Sequence, residues 1–395
     1  MGQTIEHVVV MMLIASLVAM IARRIALPYT VGLVAAGALV ALFRAPLGIH
    51  LTRDLVFSLL LPPLIFEAAL QIEWSHLKRD LTLVIVLATF GIVASAAVIG
   101  FGLVTFAHWP AAPALVIAVL LSATDPVAVI ATFNEAKVGG RVRLLVEAES
   151  LFNDGTAAVM FTIAVAAATG GTAPELLPGL WSFVATFAGG IVCGLAVGGL
   201  ALLLAWKTDD HLVEIAFTSV AAYGSFQLAE HFHLSGILAA MSAGILMGNV
   251  GSCGSLTDKG RDAVISFWEY IAFVANSIIF LLIGSELVAV SFGSFWPTAL
   301  LVIALSLAGR FLSVYGICAL FSRSASKVSR MHQFILFWGG LRGALALALA
   351  LALPETFPLR GTITGIVFAV VGFSVVVQGL TIAPVLRRLP TEGSE

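Results

Sequence analysis

Three carboxylates lie close together in an otherwise apolar stretch of this sequence. Glu147, Glu149 and Asp154 all fall within LVEAESLFNDGTAAV, Leu145–Val159. An ionised carboxylate inside a membrane helix is costly, and such groups face a partner or a water-filled cavity and mark ion pathways. A carboxylate in this setting can bind either a proton or a cation, so the stretch points to ion-binding chemistry.

Helical spacing separates two of these acids. Ser150 and Asp154 are four residues apart and therefore share one helix face. Glu149 is five residues from Asp154, which places it about 140° away around the helix. One acid can then be neutralised in an ion pair while the other faces a cavity, with the amide of Asn153 beside it. We favour Glu149 as the neutralised acid and Asp154 as the exchangeable one, against the alternative that each is a buried structural acid.

Other ionisable residues lie deep in apolar segments. Counting Glu149 and Asp154, the sequence places four acids and two bases there, namely Glu67, Asp125, Glu149, Asp154, Arg310 and Arg342. This balance predicts two ion pairs and a surplus of up to two acids, which needs a cation or a proton. Sodium is a hard cation and prefers oxygen ligands. The candidate ligands are Asp154, Ser150, Glu67 and the Thr124 hydroxyl, with carbonyl groups freed near Pro126.

Composition indicates which elements must position these residues. Of the 395 residues, 60% are hydrophobic and 11% are charged, and mean hydropathy is +1.07. Soluble proteins carry roughly 25% charged residues. Apolar blocks of about 18–25 residues recur along the chain, the length that crosses a bilayer. Because they are continuous rather than alternating, we predict an all-α polytopic membrane protein, with the first block kept as a helix rather than a signal peptide.

The apolar blocks predict thirteen transmembrane helices, over residues 5–22, 28–43, 51–72, 81–107, 112–134, 143–169, 179–206, 211–230, 234–249, 264–290, 295–321, 331–352 and 361–388. The distribution of basic residues orients them. With the N-terminus outside and the C-terminus in the cytoplasm, inner loops hold 15 of the 20 Lys and Arg residues and outer loops hold three.

Thirteen spans predict two inverted repeats. We expect one transmembrane domain over 1–395, with repeat one at about 5–169, a linking helix at about 179–206 and repeat two at about 211–388. Spans 5 and 12 are interrupted, by SATDPVAV around Asp125 and by WGGLRGALA around Arg342. Paired broken helices in inverted repeats are typical of secondary transporters. The plain alternative is two Pro/Gly kinks, which membrane helices tolerate.

At these motifs the sequence resembles the monovalent cation/proton antiporters of the NhaP and NHE type, the sodium/hydrogen exchangers. The likeness extends from LPPLIFEAA through SATDPVAV, AESLFNDGTA and FLLIG to GGLRGALALALA. It implies an NhaA-like antiporter fold with crossed discontinuous helices. It also implies a homodimer in which a six-helix core carries the ion as an elevator relative to a rigid dimerisation part.

The resemblance also implies roles for individual residues. Asp154 would be the shared carrier of cation and proton, with Asn153 beside it. Thr124 and Asp125 would lie at the helix crossing, and Glu67 and Ser150 near the ion. Three residues would hold the site together: Glu149 paired with Arg310, and Arg342 at the crossing.

Asn153 also bears on stoichiometry. Relatives with two adjacent Asp residues in this motif are typically electrogenic, so the Asn implies exchange of one cation for one proton. A single titrating carboxylate agrees with that.

The sequence departs from the pattern of many animal relatives in two ways. Asn276 stands where those relatives have an acid, and their long cytoplasmic tail has no match here. We therefore expect no soluble regulatory domain.

The sequence thus predicts an electroneutral Na⁺/H⁺ antiporter in a bacterial cytoplasmic membrane, with Li⁺ as a further candidate substrate. It would be a transporter and not an enzyme, with no cofactor and no nucleic-acid partner. Three alternatives stay open: K⁺/H⁺ or mixed exchange by the same fold, a cation channel, and a non-transporting membrane sensor.

Overall fold

The structure is a computed structural model that describes residues 2–25, 27–43, 48–125, 129–130, 133, 138–170, 176–250, 258–290, 293 and 295–386. Regular structure in these residues is helical, apart from one isolated β-bridge between Asp125 and Leu341. The prediction of an all-α chain is therefore confirmed for the described residues.

The helices follow the apolar blocks of the sequence. They are α1 (Gly2–Ile25), α2 (Tyr29–Leu42), α3 (Leu55–Leu70), α4 (Trp74–Phe106), α5 (Ala111–Leu120), α6 (Gly140–Thr169), α7 (Leu176–Ala205), α8 (His211–His231), α9 (Gly236–Val250), α10 (Asp258–Ala289), α11 (Trp296–Leu320), α12 (Arg330–Trp338), α13 (Ala344–Leu351) and α14 (Arg360–Leu386). Eight helices of the described residues are long and apolar enough to cross a membrane. The chain is thus a multi-pass membrane protein, while the count of thirteen and the inverted repeat stay predictions.

Two membrane segments are interrupted near the middle of the molecule. α5 ends at Leu120, and the chain continues without helix through Ser122 to Asp125. α12 ends at Trp338, and α13 does not begin until Ala344. The two interruptions meet, because the Asp125 N–H donates to the Leu341 carbonyl at 2.7 Å. Helix ends that would otherwise lie against lipid are thereby buried in protein, where such irregular backbone is tolerated.

Helix packing divides the molecule into two groups. α4 packs against α5, α6 and α11, whereas α10 packs against α2, α3 and α8, and α9 packs against α3 and α7. In the second group a side chain at Gly284 of α10 would overlap the backbone of Val34 in α2. Such close backbone approach is the usual way in which membrane helices pack tightly. The candidate site lies between the two groups.

An ion pair between α6 and α4 stabilises the first group. Arg141, at the start of α6, donates from Nε and Nη2 to the Asp80 carboxylate of α4 at 2.8 and 2.7 Å. Its Nη1 donates to the Lys327 carbonyl, between α11 and α12, at 2.8 Å. A planar guanidinium matches a carboxylate bidentately. Arg141 thus connects α6, α4 and the segment between α11 and α12.

Candidate functional site

A cavity of about 580 Å³ lies between the two helix groups. Four of the predicted site residues line it: Glu67, Thr124, Asp125 and Asp154. The cavity reaches from the interrupted segments to the end of α3 and the start of α6, where Gln71 and Arg143 line it. These four predicted residues are therefore brought together around one space.

One face of α6 lines the cavity along its depth. Arg143, Glu147, Leu151 and Asp154 follow one another at spacings of four, four and three residues, and all four line the cavity. Residues three and four apart are neighbours on a helix surface. The face therefore has charged residues near the start of α6, then an apolar residue, and then Asp154 at the level of the helix interruptions.

Asp154 is buried, with 8% of its surface exposed. Its Oδ1 has no hydrogen-bond partner within the described part of the chain. A buried acceptor without a partner is costly, so this oxygen is well suited to a proton or a cation. Asp154 is also one of the residues that line the cavity.

Ser150 and Thr124 contact each other beside this carboxylate. The Ser150 hydroxyl donates to the Thr124 carbonyl, and the Thr124 hydroxyl donates to Ser150 Oγ at 3.4 Å. Both residues are buried. Ser150 thus satisfies backbone oxygen that the interruption after α5 leaves without a helical partner. Pro126, near which we expected freed carbonyl groups, lies outside the described residues.

Glu149 lies on another side of α6, and both of its carboxylate oxygens accept hydrogen bonds. Arg310 of α11 donates to both carboxylate oxygens, at 2.7 and 2.8 Å, and its Nη2 also donates to the Leu336 carbonyl at 2.8 Å. Both side chains are buried. The pairing implied by the family resemblance is present in the structure, and it leaves Glu149 neutralised.

Asn153 connects this ion pair to the helix interruption. Its Nδ2 lies 3.1 Å from Glu149 Oε1 and 3.3 Å from Thr124 Oγ1, and donates to both. The amide is therefore directed toward Glu149 and Thr124. A second carboxylate at this position would meet the Glu149 carboxylate, where the amide donates a hydrogen bond.

Asp125 lies at the N-terminus of the half-helix α13. Its Oδ2 accepts the N–H of Ala344, the first residue of α13, at 3.1 Å. A side chain at Gly343 would overlap the Asp125 carboxylate, so only glycine allows this approach. A negative charge at a helix N-terminus is favourable because the first N–H groups lack helical acceptors.

Arg342, at the other interruption, is a positive charge that contacts helix C-termini. It donates from Nε to the Leu121 carbonyl at 2.6 Å, next to the end of α5, and from Nη1 to the Gly340 carbonyl at 2.5 Å. A cation at helix C-termini is favourable for the same reason. Among the described residues it contacts these carbonyl oxygens and not a carboxylate. The second ion pair expected from the sequence is thus replaced by charged groups that cap helix ends.

Two residues that sequence reasoning missed support the second interruption. Ser374 accepts the Arg342 N–H at 2.8 Å and donates to Gln378 at 2.6 Å. Gln378 in turn donates to the Trp338 carbonyl at 3.1 Å. The signal was two polar residues in the apolar run FSVVVQGL of α14. Glu67 accepts a hydrogen bond from Gln71, which was also missed.

The family follows from comparison with known proteins. A family model described as the transmembrane sodium/hydrogen exchanger matches residues 10–388. This chain belongs to the sodium/hydrogen exchanger family. The match covers the cavity and both interruptions, and it confirms the resemblance that the motifs carried.

Several bacterial sodium/hydrogen exchangers are similar over most of their length. The low-affinity Na⁺/H⁺ antiporter NhaS1 of a Synechocystis species is 38% identical over 374 residues, covering 93% of this chain and 71% of that protein. The Na⁺/H⁺ antiporter NhaH of Halobacillus aidingensis is 33% identical and covers 97% of each chain.

A solved structure shows the exchanger fold. The sodium proton antiporter MjNhaP1 of Methanocaldococcus jannaschii, at pH 8, superposes with a TM-score of 0.77 over 98% of this chain and 99% of that one, at 19% identity. The antiporter fold predicted from the motifs is therefore confirmed. The described residues contain no group of three or more His, Cys, Asp or Glu side chains that could hold a metal ion.

Proposed function

We propose that this exchanger-family protein is an electroneutral antiporter that trades one Na⁺ for one H⁺, with both ions competing for Asp154. The observation that carries the proposal is the contrast between three buried acids. Glu149 is held by Arg310, and Asp125 lies at the N-terminus of α13. Asp154 alone of these three has a carboxylate oxygen without a partner in the described residues, and it faces the cavity.

The candidate cation ligands are oxygen atoms beside Asp154. Thr124 and Glu67 line the same cavity, and Ser150 contacts Thr124 on the face of α6 that carries Asp154. Hard monovalent cations prefer such ligands. Asp125 and Asn153 would act beside them by holding the interruption in place. A proton on Asp154 would remove the charge that attracts the cation, so the two ions exclude each other.

One exchangeable carboxylate supports a stoichiometry of one to one. When Asp154 carries either a proton or a Na⁺ ion, the loaded site has the same charge. Asn153 adds no second titrating group. Each half of the cycle would then move the same charge in opposite directions, so the membrane potential would not drive the exchange.

The division into two helix groups supports alternating access. The cavity leads from Asp154 to the ends of α3 and α6 that carry Gln71 and Arg143. Movement of the group with α4, α5, α6 and α11 past the group with α2, α3, α9 and α10 would bring Asp154 to the other side. We place the open side in the cytoplasm of a bacterium, and we propose a homodimer with the N-terminus outside.

The test is purified protein in liposomes that contain a pH-sensitive dye, with Na⁺, Li⁺ and K⁺ added in turn. We expect Na⁺ to move protons at a rate that does not change when valinomycin and K⁺ clamp the membrane potential. Proton movement with K⁺ instead would assign K⁺/H⁺ exchange. A cation current without a proton gradient would indicate a channel and contradict the proposal.

A further inference from the structure

The lining of the cavity carries unequal numbers of acidic and basic residues. Among the described residues that line the cavity, five are acidic and one is basic. The acids are Glu67, Asp125, Glu147, Asp154 and Glu269, and the base is Arg143. Arg143 is thus the one fixed positive charge among the described residues on the path that a cation would take to Asp154.

Arg143 is paired within its own helix. Its Nε donates to Glu147 Oε1, four residues later, at 2.6 Å. The side chains are 27% and 11% exposed, compared with 6% and 2% for Arg310 and Glu149. Glu147 is itself buried, but it lines the cavity and its partner Arg143 is partly exposed. A cation that enters the cavity can therefore approach the Arg143–Glu147 pair, whereas the Arg310–Glu149 pair does not line the cavity.

The position of this pair in the cavity makes it relevant to transport. Asp154, with its unpartnered oxygen, lies on the same face of α6 as Arg143 and Glu147. The three residues span eleven positions, or about 16 Å along the helix. Arg143 is therefore too far from Asp154 to touch a bound ion, but it lies where cations enter. A cleft lined by one sign of charge with low-dielectric walls concentrates counter-ions.

We propose that Arg143 sets the apparent affinity for the transported cation on the side of the membrane to which the cavity opens. Its guanidinium competes with entering cations for the Glu147 carboxylate. The inference rests on the proposed exchange function and adds a residue that determines affinity without binding the ion at Asp154. When a cation enters, it competes with the guanidinium for the acidic mouth. Removing the guanidinium favours the cation, and removing only the Glu147 charge opposes it.

The experiment compares three variants in everted membrane vesicles from a host without its own Na⁺/H⁺ exchange. Because a unit charge at this distance changes the local potential modestly, we expect Arg143→Gln to lower the KM for Na⁺ by about two- to fivefold and Glu147→Gln to raise it similarly. The double variant keeps the net charge and should return close to the parent KM. The kcat should stay within about twofold, and high choline chloride should reduce all the differences by screening.

Two control variants make the same charge changes outside the cavity. Arg330→Gln, at the start of α12, and Glu73→Gln, before α4, alter exposed residues that do not line it. Both should leave the KM unchanged. A merely structural role for the pair predicts instead that kcat and melting temperature fall in both single variants.

The outcomes separate the two proposals. If the parent protein exchanges normally and Arg143→Gln leaves the KM for Na⁺ unchanged, the role of Arg143 is overturned. The exchange function is not affected by that result. A parent protein that moves no protons with Na⁺, Li⁺ or K⁺ overturns both. Opposite KM changes that the double variant cancels support the inference.

Discussion

At the scale of single residues, the site depends on which buried acid keeps an oxygen free. Glu149 meets both Nη atoms of Arg310, whereas Asp154 Oδ1 meets no hydrogen-bond partner in the described residues. The two acids are five residues apart and point to different sides of α6. The same helix therefore carries one fixed acid and one exchangeable acid.

We expect Asp154→Asn to reduce Na⁺/H⁺ exchange to the rate of protein-free liposomes. The amide is neutral and of similar size, so it fills the same space but neither titrates nor attracts a cation. Melting temperature in detergent should stay close to that of the parent protein. Exchange that persists in a folded Asp154→Asn protein would overturn the carrier assignment.

Glu149→Gln should chiefly affect stability. The substitution leaves the Arg310 guanidinium buried without its carboxylate, which costs about 3–5 kcal/mol for buried pairs in general. Thermal unfolding in detergent measures the loss. The matched control is Glu149→Gln with Arg310→Gln, which removes both charges and should be destabilised by less than the sum of the two single changes. Additive losses would show that the pair is not coupled.

At the scale of elements, the two interruptions hold each other together. Asp125 from the first lies at the N-terminus of α13, and Arg342 from the second lies against the carbonyl group of Leu121, after α5. Each charge thus stabilises the helix end that the other interruption creates. Asp125 and Arg342, the charged residues of the two interruptions, thus satisfy helix termini.

Gly343→Ala tests this arrangement. A methyl group there would overlap the Asp125 carboxylate, so we expect Asp125 to move away from α13 and the rate of exchange to fall sharply. The matched control is Gly316→Ala in α11, where an added methyl group meets no atom within 4 Å. Transport assays on both variants, after equal reconstitution, give the comparison. Parent-like exchange by Gly343→Ala would show that the contact is dispensable.

The limits of sequence reasoning are clearest at these interruptions. Apolar runs of membrane length and buried charges at Asp154 and Arg310 predicted the helical membrane class and a candidate ion site, because both follow from local composition. The partners of Arg342 did not follow, since they depend on how two distant segments cross. The supporting contacts of Ser374 and Gln378 were missed for the same reason. The Arg143–Glu147 contact, by contrast, has the four-residue spacing that a helix brings together.

At the scale of the whole molecule, the two ends of α3 differ in their relation to the cavity. Gln71 follows the end of α3 and lines the cavity, whereas His50 precedes α3 and lies at its opposite end. His50 contacts Glu286 of α10 at 3.2 Å, and its side chain is 88% exposed. The cavity therefore extends toward the end of α3 that the positive-inside pattern assigns to the cytoplasm.

This asymmetry predicts one-sided labelling. In a background without Cys193, Cys253 and Cys318, a membrane-impermeant maleimide should label Gln71→Cys in everted vesicles and not in intact cells. His50→Cys should show the reverse, and it controls for leaky preparations. If the group with α4, α5, α6 and α11 moves past its neighbours, Asp154 changes sides while Gln71, in α3, stays on its own side. Labelling of Gln71→Cys from outside in intact cells would therefore contradict the proposed orientation, because α3 belongs to the group that we expect to remain fixed during exchange.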